Sequence, residues 1–369
     1  MAIEKILIDQ FIQMSEKYPV FDVRSPGEFA HAHIPGAYSL PLFSDDERKV
    51  VGTTYKQQSR EAAIKIGLDF FGPRMRSVVD QVENICHQFP YKDIQTRKQV
   101  LVHCWRGGMR SAAIAWLLDL YGFRVTTLAG GYKQFRNFVL TLFGNPFSFR
   151  ILGGYTGSGK TEVLKELRRL GEPVIDLEAI AHHKGSAFGA INEPPQPSQE
   201  MFENKLAYRL YFTFGLSSGN GTSGMQTPVW LEDESQRIGN VNIPQQFWNT
   251  MRKSEVYFLD IPFEQRLDHL VEGYGNLDKE QMLNAIVRIR KRLGGLETKT
   301  AVNFLIEENM RESFRVLLTY YDKQYLKGLS NRENHDQLVT KIACSKVDAA
   351  INAGKLQHMK QNHGQIISS

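Results

Sequence analysis

The chain predicts an α/β protein built from two parallel-sheet domains, and three observations carry that expectation. Strand-like apolar runs alternate with helix-like segments along most of the chain. Two of those strands run directly into glycine-bearing loops that open helices, LVHCWRGGMRS at 101–111 and FRILGGYTGSGKTEVLKEL at 149–167. The 369 residues are enough for two domains, each with its own buried core. Strands that alternate with helices pair in parallel and carry their crossover helices on both faces of the sheet.

The first domain is expected over residues 1–142. VFDVR reads as a short strand, and Ser25-Pro26-Gly27-Glu28 reads as a capping box with proline at the first helical position. HIPGAYSLPL is an extended segment, and residues 43–76 form a polar insertion with helical pattern. QVLVHC is the next strand, followed by a helix to Tyr121, the strand and turn RVTTLAGG, and the helix YKQFRNFVLTLF. FGNPFS at 143–148 marks the boundary.

The second domain is expected over 147–350, opening on the strand FRILGG. EPVIDLE, PVWLEDES and VYFLDIP read as three further strands, each ending in carboxylates. Beyond Ala301 the pattern is helical, with Phe314, Leu317, Leu318 and Tyr321 at core spacing. Residues 355–369 read as a polar, flexible tail.

Composition narrows the function classes. Apolar residues make up 42% and charged residues 23% of the chain, as in ordinary globular proteins. Three cysteines, Cys86, Cys104 and Cys344, are too few and too scattered for a disulfide framework or a zinc site. No run is long enough to span a membrane, and MAIEKILIDQ lacks the apolar core of a secretory signal, so a cytoplasmic location is expected. The net charge of +5 does not by itself demand a polyanion. The run RIRKR, Arg288 to Arg292, is the densest basic cluster; on one helix with Ile286, Ile289 and Leu293 as its apolar stripe, it is either a solvated face or a polyanion contact. Arg288, Arg290, Lys291 and Arg292, together with Lys56 and Arg60 in the insertion, are the candidate nucleic-acid contacts.

Two loops carry the chemistry. Cys104 opens a loop containing two glycines just before a helix, where backbone N–H groups and the helix terminus favour an anion and lower a thiol pKa. Arg110 would offer a bidentate fork to an oxyanion held there, and Cys104, Arg106 and Arg110 are the catalytic candidates. In the second loop Gly154, Gly159, Lys160 and Thr161 satisfy G-x-x-x-x-G-K-[ST], in the required context of strand before and helix after. The phosphate-binding candidates are therefore Gly154, Thr156, Gly157, Ser158, Gly159, Lys160 and Thr161, with the Thr161 hydroxyl placed for Mg²⁺. Glu232, Asp233 and Asp260 at strand ends are candidates for Mg²⁺ or water positioning, or are simple helix caps. His182-His183-Lys184 reads as a phosphate or RNA contact, or as plain surface, ahead of a metal site.

DVRSPGEFAHAHIPGA, LVHCWRGGMRS and TLAGGY together resemble a rhodanese domain. VGTTYKQQSREAA, HCWRGGMRSAAIAWLL, GYTGSGKTE, HHKGSAFGAI, VWLEDESQRIG and RIRKRLGG extend the resemblance over most of residues 20–325 to the tRNA 2-selenouridine synthase family. That resemblance implies a transferase that converts 2-thiouridine at tRNA position 34 to 2-selenouridine with selenophosphate, by way of an S-geranyl base made from geranyl diphosphate. It implies that Cys104 carries selenium as a selenylsulfide, that the tRNA anticodon arm is the partner, and that an enzyme supplying selenophosphate is a second partner. The five residues between Cys104 and Arg110 also give H-C-x₅-R, which resembles cell-cycle dual-specificity phosphatases. A wider cradle of this kind suits a tetrahedral phosphorus centre such as selenophosphate. Trp105 either stacks on the splayed uridine or packs its own loop.

Two other classes stay open on the residues alone. One is a phosphatase fused to a small-molecule kinase, although no carboxylate follows Cys104 closely enough to act as its general acid. The other is a nucleotide-regulated switch that only binds partners, against which an intact Cys104 argues.

Overall fold

The structure, a computed structural model, describes residues 3–91, 98–216, 227–275 and 277–366. Two compact units divide the chain: the residues up to Phe143 together with Glu200–Tyr208, and Gly144–Gln199 together with the chain from Arg209 onward.

The first unit contains β1 (Glu4–Ile6), α1 (Ile8–Ser15), β2 (Val20–Asp22), α2 (Pro26–His31), β3 (Tyr38–Ser39), α3 (Asp45–Gln57), α4 (Arg60–Phe71), α5 (Met75–Gln88), β4 (Gln99–His103), α6 (Met109–Tyr121), β5 (Arg124–Leu128) and α7 (Gly131–Leu142). Its five strands are all parallel, in the order β1-β5-β4-β2-β3. The central strands are buried along almost their whole length because helices cover both faces. Phe21, Val82, Val100, Val102, Ile114 and Leu118 lie at the centre of that core. The capping box read from Ser25 and Glu28 starts α2, with Pro26 at its first position. The polar insertion is helical as expected, as α3 and α4.

One segment joins this unit from far along the chain. Helix α10 (Gln199–Thr213) brings Glu200 to accept a hydrogen bond from the Tyr132 hydroxyl at 2.7 Å, and Asn204 Nδ2 donates to that hydroxyl at 2.8 Å. Arg136 pairs with Glu203 at 2.5 Å. Sequence order alone assigns Glu200–Tyr208 to the second domain; these polar partners on α7 are what bring it to the first.

The second unit contains β6 (Phe149–Gly154), α8 (Lys160–Arg169), α9 (Leu177–Ala181), β7 (Val229–Glu232), β8 (Arg237–Ile238), β9 (Val241–Asn242), α11 (Gln245–Arg252), β10 (Glu255–Asp260), α12 (Phe263–Tyr274), α13 (Lys279–Arg288), α14 (Arg290–Leu293), α15 (Gly295–Ile306), α16 (Met310–Ser330), α17 (His335–Leu338), β11 (Val339–Ala343) and α18 (Ala349–Ile366). Its parallel sheet runs β11-β10-β6-β7, with β8 and β9 as a separate antiparallel pair. β6 lies centrally, so the loop that follows it opens at the carboxyl edge of the sheet, where open α/β sheets hold ligands.

Three expectations are corrected here. EPVIDLE is not a strand: only Val174 bridges to Trp230, because Asp176 accepts from Ala179 N at 2.8 Å and caps α9. RIRKR does not lie on one helix: α13 ends at Arg288 with Ile289 as its cap, and α14 restarts at Arg290. Ile286 and Leu293 are nonetheless buried in one cluster, with Ile289 packed against it. The polar tail is not loose from 355: α18 runs through it to Ile366, and Ala353 and Leu356 are buried against the core that holds Val163 and Leu167 of α8. Residues 367–369 of that tail lie outside the described residues. Strand β11 is a further difference, since the sequence pattern beyond Ala301 reads as helix alone.

Candidate active sites on two glycine loops

In the first unit, β4 ends at His103 and Cys104 begins the loop to α6. The Cys104 sulfur lies 3.3 Å from the Ser111 hydroxyl and accepts from Gly108 N at 3.3 Å. Burial alone would raise this thiol. The hydrogen bonds from Ser111, Gly108 and Arg106 outweigh burial and bring it below the ordinary cysteine range. Burial instead pushes Cys86 and Cys344 up. The low thiol is the property expected from the loop and helix start; Ser111, in the first turn of α6, is a contributor that sequence reasoning misses.

The loop is locked from behind by α7. Tyr132 N donates to Cys104 O at 2.8 Å, and Lys133 N donates to Trp105 O at 2.9 Å. Gly131 has φ +59°, and a Cβ there would come within 2.3 Å of Cys104 O, so TLAGGY needs glycine at this position for close approach as well as for backbone conformation. Beneath the loop, Asp22 and Arg24 form a fully buried ion pair at 2.6 Å, and the Arg24 guanidinium lies 3.7 Å from the centre of the Tyr132 ring. His103 is fully buried, which pushes its imidazole pKa down against the pull of the Asp22 carboxylate 3.8 Å from Nε2, and neither ring nitrogen has a hydrogen-bond partner among the described residues.

The arginines behave unlike the fork envisaged. Arg110 Nη1 donates to Glu28 Oε2 at 2.9 Å, and Glu28 also accepts from the Ser25 backbone and hydroxyl. Its charge is therefore matched by the capping-box carboxylate of α2. Arg106 is exposed on the loop. Trp105 is 37% exposed, with its ring 5.8 Å from that of Tyr132, so it is packed on one side and open on the other.

In the second unit, Gly154, Gly157 and Gly159 all have positive φ, so the chain wraps as a phosphate loop does. A Cβ on Gly157 would meet Arg266 O at 2.8 Å. Arg266 braces the turn: it donates to Thr156 O at 3.1 Å and forms a two-pronged pair with Asp322 at 2.9 and 2.7 Å. The Tyr325 hydroxyl accepts from Gly154 N at 3.2 Å. Lys160 Nζ donates to Gly154 O at 2.9 Å, so the cation sits over the loop.

Carboxylates gather beside it. The Thr161 hydroxyl donates to Glu178 Oε2 at 3.0 Å, and Glu178 N donates to Glu232 Oε1 at 2.7 Å. Burial, reinforced by the neighbouring carboxylates, pushes Glu178, Glu232 and Glu234 above the usual range, most strongly for Glu232 and Glu234. Glu232 Oε2 is buried without a partner among the described residues. Of the strand-end candidates, Glu232 thus belongs to the cluster. Asp233 is taken up by the Tyr325 hydroxyl at 2.7 Å and by an ion pair with Arg332. Asp260 is exposed at the end of β10 and is not part of the cavity wall. Glu178, Glu234 and Tyr325 go unrecognised in the sequence, because they come from separate segments that only the fold assembles.

All six loop residues from Thr156 to Thr161 open into one cavity of about 1330 Å³. One helix, α16, runs along its wall and contributes Phe314, Leu317, Leu318, Tyr321 and Tyr325. From Tyr325 to Phe314 is eleven residues, or roughly 16 Å of apolar trough at 1.5 Å per residue. The rings of Phe188, Tyr274 and Phe314 meet around the residue farthest from Tyr325, with centroids 5.8–6.1 Å apart. The four core positions read beyond Ala301 are the cavity wall. In AHHKGSAFG, His183 is buried and accepts from Gly185 N at 3.1 Å, whereas Lys184 lines the cavity and pairs with Glu193 at 3.1 Å.

The basic residues are exposed. Arg288, Arg290, Lys291 and Arg292 make no ion pair among the described residues, and Arg292 borders the cavity. Lys56 and Arg60 are exposed on α3 and α4. No helix among the described residues is long and apolar enough to cross a membrane.

Comparison with known proteins bears on both units. Residues 147–357 match the family model described as tRNA 2-selenouridine synthase AAA domain, and residues 7–138 match the rhodanese-like domain. A tRNA 2-selenouridine synthase of Nitrosomonas europaea is 36% identical over 301 residues, covering 80% of this chain and 73% of the relative. One of Nitrosomonas eutropha is 32% identical, covering 85% of this chain and 89% of the relative. One of Bdellovibrio bacteriovorus is 33% identical, with 90% and 94% covered.

Proposed function

The chain belongs to the tRNA 2-selenouridine synthase family, and from that premise we propose that it converts 2-thiouridine at the wobble position of tRNA to 2-selenouridine in two stages. The base is first S-alkylated from geranyl diphosphate, and the geranylthio group is then replaced by selenium from selenophosphate. The observation that carries this reading is the continuity of the phosphate loop with the apolar trough of α16. A nucleotide needs no such trough; a prenyl diphosphate needs both parts.

In the first stage the diphosphate lies on the loop, with the tail along Tyr321, Leu318, Leu317 and Phe314. The thiocarbonyl sulfur attacks C1 of the geranyl group; the S–C bond forms, the C1–O bond breaks, and the base loses its N3 proton. Diphosphate leaves with the electron pair, stabilised by Lys160 and by the amino terminus of α8. The donor set also fits Mg²⁺. Thr161 and Glu178 would supply oxygen, Glu232 accepts from Glu178 N and keeps Oε2 without a partner among the described residues, and carboxylates crowded this closely would favour a cation. Among the described residues no three such side chains converge as a complete metal site. That agrees with the habit of Mg²⁺ of sharing one or two protein oxygens with substrate phosphates. The ion, when bound, would offset charge on the leaving diphosphate.

The second stage belongs to the Cys104 loop. Alkylated sulfur leaves from carbon more readily than thiocarbonyl sulfur, which is why alkylation comes first. We assign to the Cys104 thiolate the carrying of selenium. Selenophosphate contains selenium as selenide, so a selenylsulfide on Cys104 forms only as a small-molecule disulfide takes up two electrons and becomes two thiols, while water carries off the phosphoryl group as phosphate. The outer selenium then attacks C2 of the base, the C2–S bond breaks, geranylthiol leaves, and a thiol returns the two electrons by cleaving the Se–S bond. The mass of the Cys104 peptide after exposure to selenophosphate, with and without an oxidant, reads that form directly. The whole reading is tested by incubating the protein with geranyl diphosphate and an anticodon stem-loop containing 2-thiouridine, followed by nucleoside mass spectrometry. S-geranyl-2-thiouridine is expected, and 2-selenouridine after selenophosphate is added. Absence of the alkylated nucleoside, with selenation intact, overturns the two-stage order.

A further inference from the structure

The cavity of the second unit is larger than a prenyl donor needs. Small-molecule sites usually occupy roughly 300–1,000 Å³, and this one measures about 1330 Å³. Its lining changes character at Tyr325. Phe314, Leu317, Leu318 and Tyr321 give one stretch of the wall an apolar surface, bordered by Lys184 and Arg292. Around Tyr325 and on α11 the wall is richer in polar groups, with Gln324, Asn331, Trp248, Asn249 and Arg252, and Gln236 beside the start of α11.

Trp248 and Arg252 lie one turn apart on α11, and the Arg252 guanidinium is 5.4 Å from the centre of the Trp248 ring. Arg252 is fixed by a hydrogen bond from Nη2 to Gly328 O at 3.0 Å. Trp248 is half-buried on the cavity wall, and its Nε1–H has no acceptor among the described residues. Lys253 adds an exposed cation on the same wall. A geranyl tail has no use for an indole, a guanidinium and several side-chain amides. An unstacked nucleobase does: it is held by an aromatic face, by edge hydrogen bonds and by cations along its backbone.

We propose that this polar arm of the phosphate-loop cavity receives the wobble nucleotide, with its base against Trp248 and its phosphates towards Arg252 and Lys253. The inference rests on the geranyl-transfer reading, because sulfur can meet C1 only if the base enters the cavity holding the diphosphate. A base in a stacked anticodon loop must be splayed out to do so. The base then waits at one end of the loop and the tail extends from the other, with the reacting atoms beside Lys160 and Tyr325.

The test uses the full chain and an anticodon stem-loop carrying photoactive 4-thiouridine at position 34. Cross-links are expected within residues 245–253 or 320–331, and they should disappear in Trp248→Ala. Cross-linking confined to residues 104–110, or elsewhere, overturns the proposal. Because this arm needs no donor, it decides the base site even if no geranyl transfer is found, an outcome that would sink only the reading beneath it. Steady-state transfer supplies the second arm. Trp248→Ala should raise KM for the RNA roughly 10- to 100-fold, leave KM for geranyl diphosphate unchanged, and be largely restored by Trp248→Phe. An unchanged RNA KM, or an equal rise in both constants, also overturns the proposal.

Discussion

The Cys104 loop and the phosphate loop are both glycine-bearing turns between a parallel strand and its following helix, but they surround different things. The first folds around its own side chain: Gly108 N–H and the Ser111 hydroxyl converge on the Cys104 sulfur, and the nearby Arg110 has its charge matched by Glu28. The second contains no thiol and presents a cation, Lys160, above its turn. One loop can form a covalent bond and the other can only stabilise charge. The same backbone device therefore surrounds a thiol in one unit and places a cation over its turn in the other.

That comparison can be broken most sharply at the sulfur. Cys104→Ser should abolish selenium incorporation, because an alcohol here is neither ionised nor soft, while S-geranyl-2-thiouridine still accumulates in the nucleoside profile. Retained selenation would remove the covalent role from this loop.

Lys160→Ala should act less completely, slowing geranyl transfer roughly 10²–10³-fold by analogy with loss of an oxyanion donor. Supplying stem-loop that is already geranylated should restore selenation. Equal failure on that substrate would mean that the two loops do not divide the work.

The exposed cations should matter less again. Replacing Arg288, Arg290 and Arg292 with glutamine should weaken RNA binding to a similar degree for all substrates. It should also flatten the log–log salt dependence by roughly 0.7–0.9 for each phosphate that is no longer neutralised. Filter binding across a salt series measures this, and an unchanged slope would return RIRKR to a solvated surface.

The smallest effect probes the first loop's own polarity. The Cys104 thiol lies below the ordinary range, so its thiolate is present at lower pH than for a free cysteine and is lost as pH falls through that depressed value. Ser111→Ala removes a hydrogen bond to the sulfur and should shift the pH midpoint of iodoacetamide labelling at Cys104 upwards. Cys86 and Cys344, raised by burial, should stay unlabelled in peptide maps. A midpoint that does not move would assign the depression to the backbone alone.

Both loops are legible in the sequence because backbone does their work, and backbone demands declare themselves as glycines at fixed spacing. Gly131, against Cys104 O, is the clearest case. The carboxylate cluster is not legible in the same way. Glu178 and Glu234 are brought to Thr161 by α9 and by the end of β7, and no local spacing records that meeting. EPVIDLE has the length and apolarity of a strand, and only the capping role of Asp176 reveals the helix start. In the tail, polar residues outnumber Ala353 and Leu356, yet those two decide that α18 packs. The α16 positions read correctly as a buried stripe; that the stripe faces a cavity depends on Phe188, Tyr274 and the loop at 182–192, which sequence distance conceals.

The three rings of Phe188, Tyr274 and Phe314 give the trough a floor. For the proposed prenyl donor, a headgroup at Lys160 and an aromatic wall at the other end would leave no room to slide and accommodate surplus length. Isoprenoids grow in five-carbon steps, and a slot of fixed depth converts such a step into a clash or a gap. Under the proposed geranyl transfer, selectivity among prenyl donors would be a count of carbons, made by a helix of fixed rise and a stop at its end.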